Sequence, residues 1–350
     1  MKHFESRGTT METRGPSYGK VSPRRGTRPD AASGSIGKSP DLDAAVSSLT
    51  KSLKVQRAQM ATTLHELGLA YMEKGDLDAA ASHLIESLSL MRAVHGKGVH
   101  REVAFTLHDL GVVFRAKGDL DAAAIHLTES LSMKRAVYGQ GSRREVAFTL
   151  HELGVLFRAK SDLDAAASHL TESLSMMREV HGEGAHATVA ITLHELGMVH
   201  METGDLDAAA SHLTESLSMK RAVYGQGAHR EVAFTLHGLG MVFRAKGDLD
   251  AAENHLTESL SMMRDVLGEG VHEKVAMTLQ ELGMVYMEKG DLDAAASHLT
   301  ESLSMKRAAY GHVANRDVAL TLHKLGVVCK ENGDLDASAS NLTESLSIKR

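Results

Sequence analysis

His-Glu-Leu-Gly occurs three times, at His65, His151 and His194. A helix carrying His-Glu-x-x-His holds zinc on two imidazoles one turn apart, with the Glu as general base. Here the residue four after each His is Leu69, Val155 or Met198, so the second ligand is absent. His194 and His200 are six residues apart and fall on different helix faces, so no native metal site is expected. Ala-Ser-Gly-Ser-Ile-Gly37-Lys38-Ser39 echoes a phosphate-binding loop, but Ala32 replaces the first Gly and Pro40 follows. Such a loop needs a strand before it and a helix directly after it, so this segment reads as linker. The Gly-x-Gly pairs at Gly139/Gly141, Gly225/Gly227 and Gly268/Gly270 follow helical patterns and punctuate loops. Cys329 takes a position held elsewhere by Tyr71, Phe114 and Phe243, which reads as a buried core thiol. With no nucleophile–base pair and no metal set, the chain is expected to be neither an enzyme nor a holder of cofactors.

The elements that carry these residues repeat. Asp-Leu-Asp-Ala begins at Asp76, Asp119, Asp162, Asp205, Asp248, Asp291 and Asp334, a constant step of 43 residues, with an earlier copy at Asp41, 35 residues before Asp76. A strict period of this size predicts a solenoid in which each unit contacts only its neighbours. Hydrophobic residues make up 43% of the chain but aromatics only 4%, and Trp is absent, so the core must be built from Leu, Ala, Val and Met. A lone Cys argues against a disulfide framework and for a reducing compartment. No apolar run approaches the ~18 residues a membrane span requires, so a soluble, cytoplasmic protein is expected.

All four prolines and a net charge of +5 fall within residues 1–40, leaving 31 basic against 42 acidic residues, a net of −11, in the rest. Residues 1–40 read as a disordered basic tail and 41–350 as the array. Within one unit, Leu107, Leu110, Gly111 and Phe114 stand at i, i+3, i+4 and i+7 of a first helix that Gly118 ends. Asp119 then caps a second helix, whose stripe is Ala123, Leu127, Ser130 and Leu131. Two helices with one apolar stripe each must pair as a hairpin and stack on the next. Gly111 and Ala123 are expected at the close crossing, as are Gly68/Ala80, Gly154/Ala166, Gly197/Ala209, Gly240/Ala252 and Gly283/Ala295. Hairpins are expected to start at Ala61, Ala104, Ala147, Ala190, Ala233, Ala276 and Ala319, preceded by a lone helix over 41–57 that pairs with the Ala61 helix.

Leu107-x-x-Leu110-Gly111-x-x-Phe114, followed by Ala123 and Leu127, resembles the tetratricopeptide repeat. The nine residues beyond that family's usual length extend the second helix and its loop, and the long unit is similar to the repeats of kinesin light chains. The resemblance implies an all-α, right-handed α-solenoid whose first helices line a concave groove with positions two, five, nine and twelve, counted from each starting Ala. The candidate groove is then Phe105, His108, Val112 and Arg115; Phe148, His151, Val155 and Arg158; His194 and Met198; and Phe234, His237, Met241 and Arg244. It implies a non-enzymatic scaffold of the cargo- or adaptor-binding kind, taking an extended peptide with a bulky apolar anchor and acidic residues. An unperturbed His row would charge as pH falls toward ~5.5 and strengthen binding of acidic peptides. The second His column (His83, His126, His169, His212, His255 and His298) reads as a solvated outer face. The alternative is a structural or self-assembling scaffold in which the terminal helix docks another copy. The net of −11 argues against specific nucleic-acid binding, and no membrane partner is expected.

Overall fold

The computed structural model describes residues 40–96, 98–139, 143–182, 184–225, 227–268, 270–311 and 315–349. Apart from Pro40, the basic tail expected over 1–40 lies outside the described residues. Internal contacts divide the chain into residues 1–51 and 52–350. In the first unit, residues 41–51 are helical and exposed. The second unit carries the array.

Every element among the described residues is an α-helix: α1 (Pro40–Lys74), α2 (Leu77–His95), α3 (Arg101–Ala116), α4 (Leu120–Tyr138), α5 (Arg143–Ala159), α6 (Leu163–His181), α7 (Ala187–Thr203), α8 (Leu206–Tyr224), α9 (Arg230–Ala245), α10 (Leu249–Leu267), α11 (Glu273–Lys289), α12 (Leu292–Tyr310), α13 (Arg316–Glu331) and α14 (Leu335–Lys349). Each odd helix from α3 onward pairs with the even helix after it, and each even helix packs on the next odd one. The second unit is therefore an all-α solenoid of stacked hairpins.

The caps follow the repeat. The side chains of Asp76, Asp119, Asp162, Asp205, Asp248, Asp291 and Asp334 each accept a hydrogen bond from the backbone N–H three residues on, at 2.9–3.2 Å. This satisfies an orphan donor in the first turn. The hairpin crossing is tighter than the Gly/Ala pairs suggest. A Cβ on Gly111 would lie 2.4 Å from Leu127 Cγ, and one on Gly197 would lie 2.7 Å from Leu213 Cγ. The partner of each Gly is thus the Leu four residues past the Ala, with that Ala contributing its carbonyl in most hairpins. A buried serine closes the same crossing. Ser87, Ser130, Ser173, Ser216, Ser259, Ser302 and Ser345 donate to the carbonyls of Ala61, Ala104, Ala147, Ala190, Ala233, Ala276 and Ala319 at 2.6–2.7 Å.

Two ion-pair series bind neighbouring units on the outside. Arg92, Arg135, Arg178, Arg221, Arg264 and Arg307 reach Glu129, Glu172, Glu215, Glu258, Glu301 and Glu344 of the next even helix at 2.5–2.7 Å. Lys117, Lys160, Lys246 and Lys289 reach back to Asp78, Asp121, Asp207 and Asp250.

Three expectations need correction. The second His column is not a solvated face: His83, His126, His169, His212, His255 and His298 stack on Tyr71, Phe114, Phe157, His200, Phe243 and Tyr286 with centroids 5.2–5.4 Å apart. Cys329 occupies the aromatic place in the last hairpin, but it is half-buried rather than fully enclosed. It receives the Asn341 amide at 3.8 Å. The lone helix expected over 41–57 also differs, because α1 runs unbroken from Pro40 to Lys74. Aligned on the two flanking repeats, this stretch lacks eight residues that correspond to Ala93–His100, the loop with Gly96 and Gly98. Without those glycines nothing reverses the chain, and Arg57-Ala-Gln-Met60 continues the helix.

Candidate functional site

Successive odd helices touch one another: α3 meets α5, α5 meets α7, α7 meets α9 and α9 meets α11. They form a continuous wall, and positions two, five, nine and twelve of each share one side of it. All fourteen candidate residues are half-buried there, namely Phe105, His108, Val112, Arg115, Phe148, His151, Val155, Arg158, His194, Met198, Phe234, His237, Met241 and Arg244.

The His row is locked to its neighbours. Nδ1 of His65, His108, His151, His194 and His237 lies 3.0–3.3 Å from the hydroxyl of Thr106, Thr149, Thr192, Thr235 and Thr278 on the next odd helix. Gln280 takes the sixth place, and its Oε1 accepts from Thr321 at 2.8 Å. Burial, reinforced by Lys134 at His108 and by Lys220 at His194, depresses both imidazoles to about 3. Burial takes His237 to about 4 and lowers His151 as well. The expected charging near pH 5.5 is therefore overturned for His108, His194 and His237, whose imidazoles stay neutral below that pH.

The Arg row is not free either. Arg115 pairs with Glu152 at 2.8 Å. Arg158 lies 2.9 Å from both Glu195 and Glu202, and Arg244 pairs with Glu281 at 3.1 Å and Glu288 at 2.7 Å. Arg115 alone of the three holds a single carboxylate. At the start of the wall His65 Nε2 is 3.3 Å from Asp109, whose carboxyl burial pushes up to about 7.

Sequence reasoning missed the groups beneath the wall. Met91, Lys134, Met177, Lys220, Met263 and Lys306 occupy one position of successive even helices, alternating thioether with ammonium. All six are buried. The lysines donate to Thr149, Thr235 and Thr321 at 2.9 Å, and the Thr106 and Thr278 hydroxyls point at Met91 and Met263 sulfur at 3.4 and 3.6 Å. Lys134 also stands 4.8 Å from the Phe105 ring centroid, within cation–π range. The readable signal was the 86-residue alternation itself, twice the repeat.

At the Met177 joint the wall opens. A pocket of about 230 Å³ between α5 and α7 is lined by Phe148, His151, Glu152, Met177, Thr188, Ile191 and Thr192. Among the described residues, no three His, Cys, Asp or Glu side chains converge as a metal would require. No described helix is long and apolar enough to cross a membrane.

The family model described as Tetratricopeptide repeat matches residues 59–136, 188–265 and 274–350. No curated protein matches the chain. Among solved structures, BtubC (BKLC) from P. vanneervenii is 21% identical with a TM-score of 0.56, over 66% of this chain and 91% of that one. A putative kinesin light chain with nearly identical TPR-like repeats from Podosopora anserina is 17% identical with a TM-score of 0.50, over 61% of this chain and 99% of that one. The Rap conjugation gene regulator of plasmid pLS20, solved with a Phr peptide, is 16% identical with a TM-score of 0.56, over 82% of this chain and 72% of that one. These likenesses are of fold. The matched segments span most of the chain and coincide with the stacked hairpins, and the chain belongs to the tetratricopeptide repeat family.

Proposed function

We propose that the array is a non-catalytic scaffold that binds extended peptide segments of partner proteins along the wall of odd helices. One observation carries this reading. The pocket between α5 and α7 is lined by apolar Phe148, Met177 and Ile191 together with polar His151, Glu152, Thr188 and Thr192. Apolar surface with a few fixed polar groups suits one bulky anchor side chain. Neutral imidazoles and paired arginines leave affinity to apolar burial. The acidic feature expected of the ligand narrows to one carboxylate beside Arg115, the arginine with a single partner. The pLS20 regulator, of like fold, holds a peptide, which supports the same mode here. A kinesin light chain-like adaptor role in the cytoplasm fits this mode and the single Cys329.

The test is a displayed library of random peptides selected on the immobilised chain, followed by affinity measurement. Selected peptides should share a bulky apolar residue. Phe148→Ser with Ile191→Ser should weaken them by about tenfold or more, while Ile125→Ser on the exposed side of α4 changes nothing. Peptides that bind the Phe148/Ile191 variant as tightly as the parent would remove the wall as the site.

A further inference from the structure

The start of α1 is a second helix of a repeat that has lost its hinge. Asp41-Leu-Asp-Ala-Ala45, Leu49 and Ser52-Leu53 align with Asp76-Leu-Asp-Ala-Ala80, Leu84 and Ser87-Leu88 of α2. In α4 the matching Ala123 and Leu127 are fully buried and Leu131 nearly so, whereas Leu49 is 70% and Leu53 47% exposed. The later half of α1 is equally bare on one side. Met60 is 52% and Leu67 39% exposed, although the matching Val146 and Leu153 of α5 are buried. These two bare surfaces are the two sides of a joint that forms elsewhere in the chain: Ala123, Leu127 and Leu131 of α4 pack on Val146, Leu150, Leu153 and Leu156 of α5 in one core. Loss of the eight hinge residues puts both stripes on one helix with no turn between them.

We propose that two copies of this chain exchange these halves, pairing their α1 helices antiparallel in a closed two-fold dimer. The register follows from the existing joints. Lys134 of α4 meets Thr149 of α5, and these correspond to Gln56 and Thr63 of α1. Antiparallel pairing in that register sets Leu49 against Ala70 and Leu53 against Glu66–Leu67 of the other copy, with the two-fold axis between Gln59 and Met60. Each half then covers the side of the other's stripe that the following helix covers elsewhere in the chain, and the contact closes on itself. Shortening a hinge loop is a general route to such exchange. The two stripes also supply the packing that an isolated helix lacks, since a segment this short is marginal alone in water.

The experiment is mass by light scattering and sedimentation of the full chain across concentration. The expected species has twice the 37.6 kDa chain mass. Leu49→Glu with Leu53→Glu should raise the dissociation constant by about a hundredfold or more with the helical signal retained. Inserting a second copy of Ala93–His100 between Arg57 and Ala58 restores the hinge and should give a well-folded monomer, which keeps the test sound if the Glu variant misfolds. In a Cys329→Ser background, Leu49→Cys with Ala70→Cys should oxidise to a covalent dimer. A monomer at every concentration, a dimer indifferent to both the Glu pair and the restored hinge, or an open-ended ladder of masses would each overturn the proposal.

Discussion

The joint between α4 and α5 and the joint between α6 and α7 share a backbone plan and differ in one buried group. At the first, Lys134 donates to Thr149 beneath His108; at the second, Met177 lies beneath the His151–Thr192 contact. The ammonium is tolerated because each lysine joint brings acid to it. Lys220 lies 3.2 Å from Glu231, Glu145 offsets part of the burial cost at Lys134, and Asp317 does so at Lys306. At the matching place the methionine joints have Glu102, Thr188 and Lys274. The series shows that each buried ammonium has an acid at the start of the next helix, whereas a thioether is accepted with or without one, as Glu102 beside Met91 shows. The apolar pocket between α5 and α7 lies at one of the methionine joints.

The largest expected effect breaks that match. Met263→Lys would bury an ammonium beside Lys274 with no carboxylate supplied, costing about 3–5 kcal/mol in denaturant unfolding. Adding Lys274→Glu should recover a large part of it, and failure of that rescue would separate the acid from the lysine.

Acid sharpens the comparison next. The His108 and His194 imidazoles titrate at about 3 in the folded chain and near ~6.5 unfolded. Between those values the unfolded chain binds protons that the folded chain refuses, so stability falls as pH drops, by up to about 1.4 kcal/mol per pH unit for each such His. His194→Gln should reduce that slope. Gln280 already models the result, since its Oε1 accepts from both Lys306 and Thr321 at 2.8 Å. A slope unaltered in urea titrations at stepped pH would place the acid sensitivity elsewhere.

Alkali reads out the lysine joint alone. Burial lowers Lys134 from 10.5 to about 8. Its penalty is fully present below pH 8 and is relieved as pH rises toward 10.5, because only the unfolded chain still holds the proton. Lys134→Met should reduce that rise, with Lys220 and Lys306, which burial also lowers, keeping their share, while Met177→Leu leaves it intact.

The smallest effect is a control indifferent to joint type. Ser161 holds φ +61° in a turn where the other hairpins have glycine. Ser161→Gly should relieve left-handed strand-free strain and add about 0.5–1 kcal/mol, measured by the same unfolding midpoint.

The period, the hairpins and their aspartate caps were legible because each depends on local residue types that recur. Choosing the fourteen wall residues followed from the resemblance to the tetratricopeptide repeat. Their charge state did not follow. Whether His108 titrates depends on Thr149 and Lys134, which are 41 and 26 residues away and arrive only when hairpins stack. Arg115 reads as a free cation until Glu152 reaches it across the joint. The fusion of two helices into α1 was written in the 35-residue spacing, yet its meaning lay in which eight residues were missing, and only the turn geometry around Gly96 shows that these were the ones that reverse the chain.

Near-identical units also carry a hazard of mistaken identity, and the alternation of methionine with lysine acts against it as a parity mark. A nascent even helix faces several odd helices that look alike. Slipping by one unit would lay Lys134 on α7, whose start offers Thr188 in place of Glu145, or Lys220 on α11, whose start offers Lys274 in place of Glu231. A buried cation without its acid is heavily penalised, so these two displacements are disfavoured, whereas a slip that lays Lys134 on α3 meets Glu102 and goes unmarked.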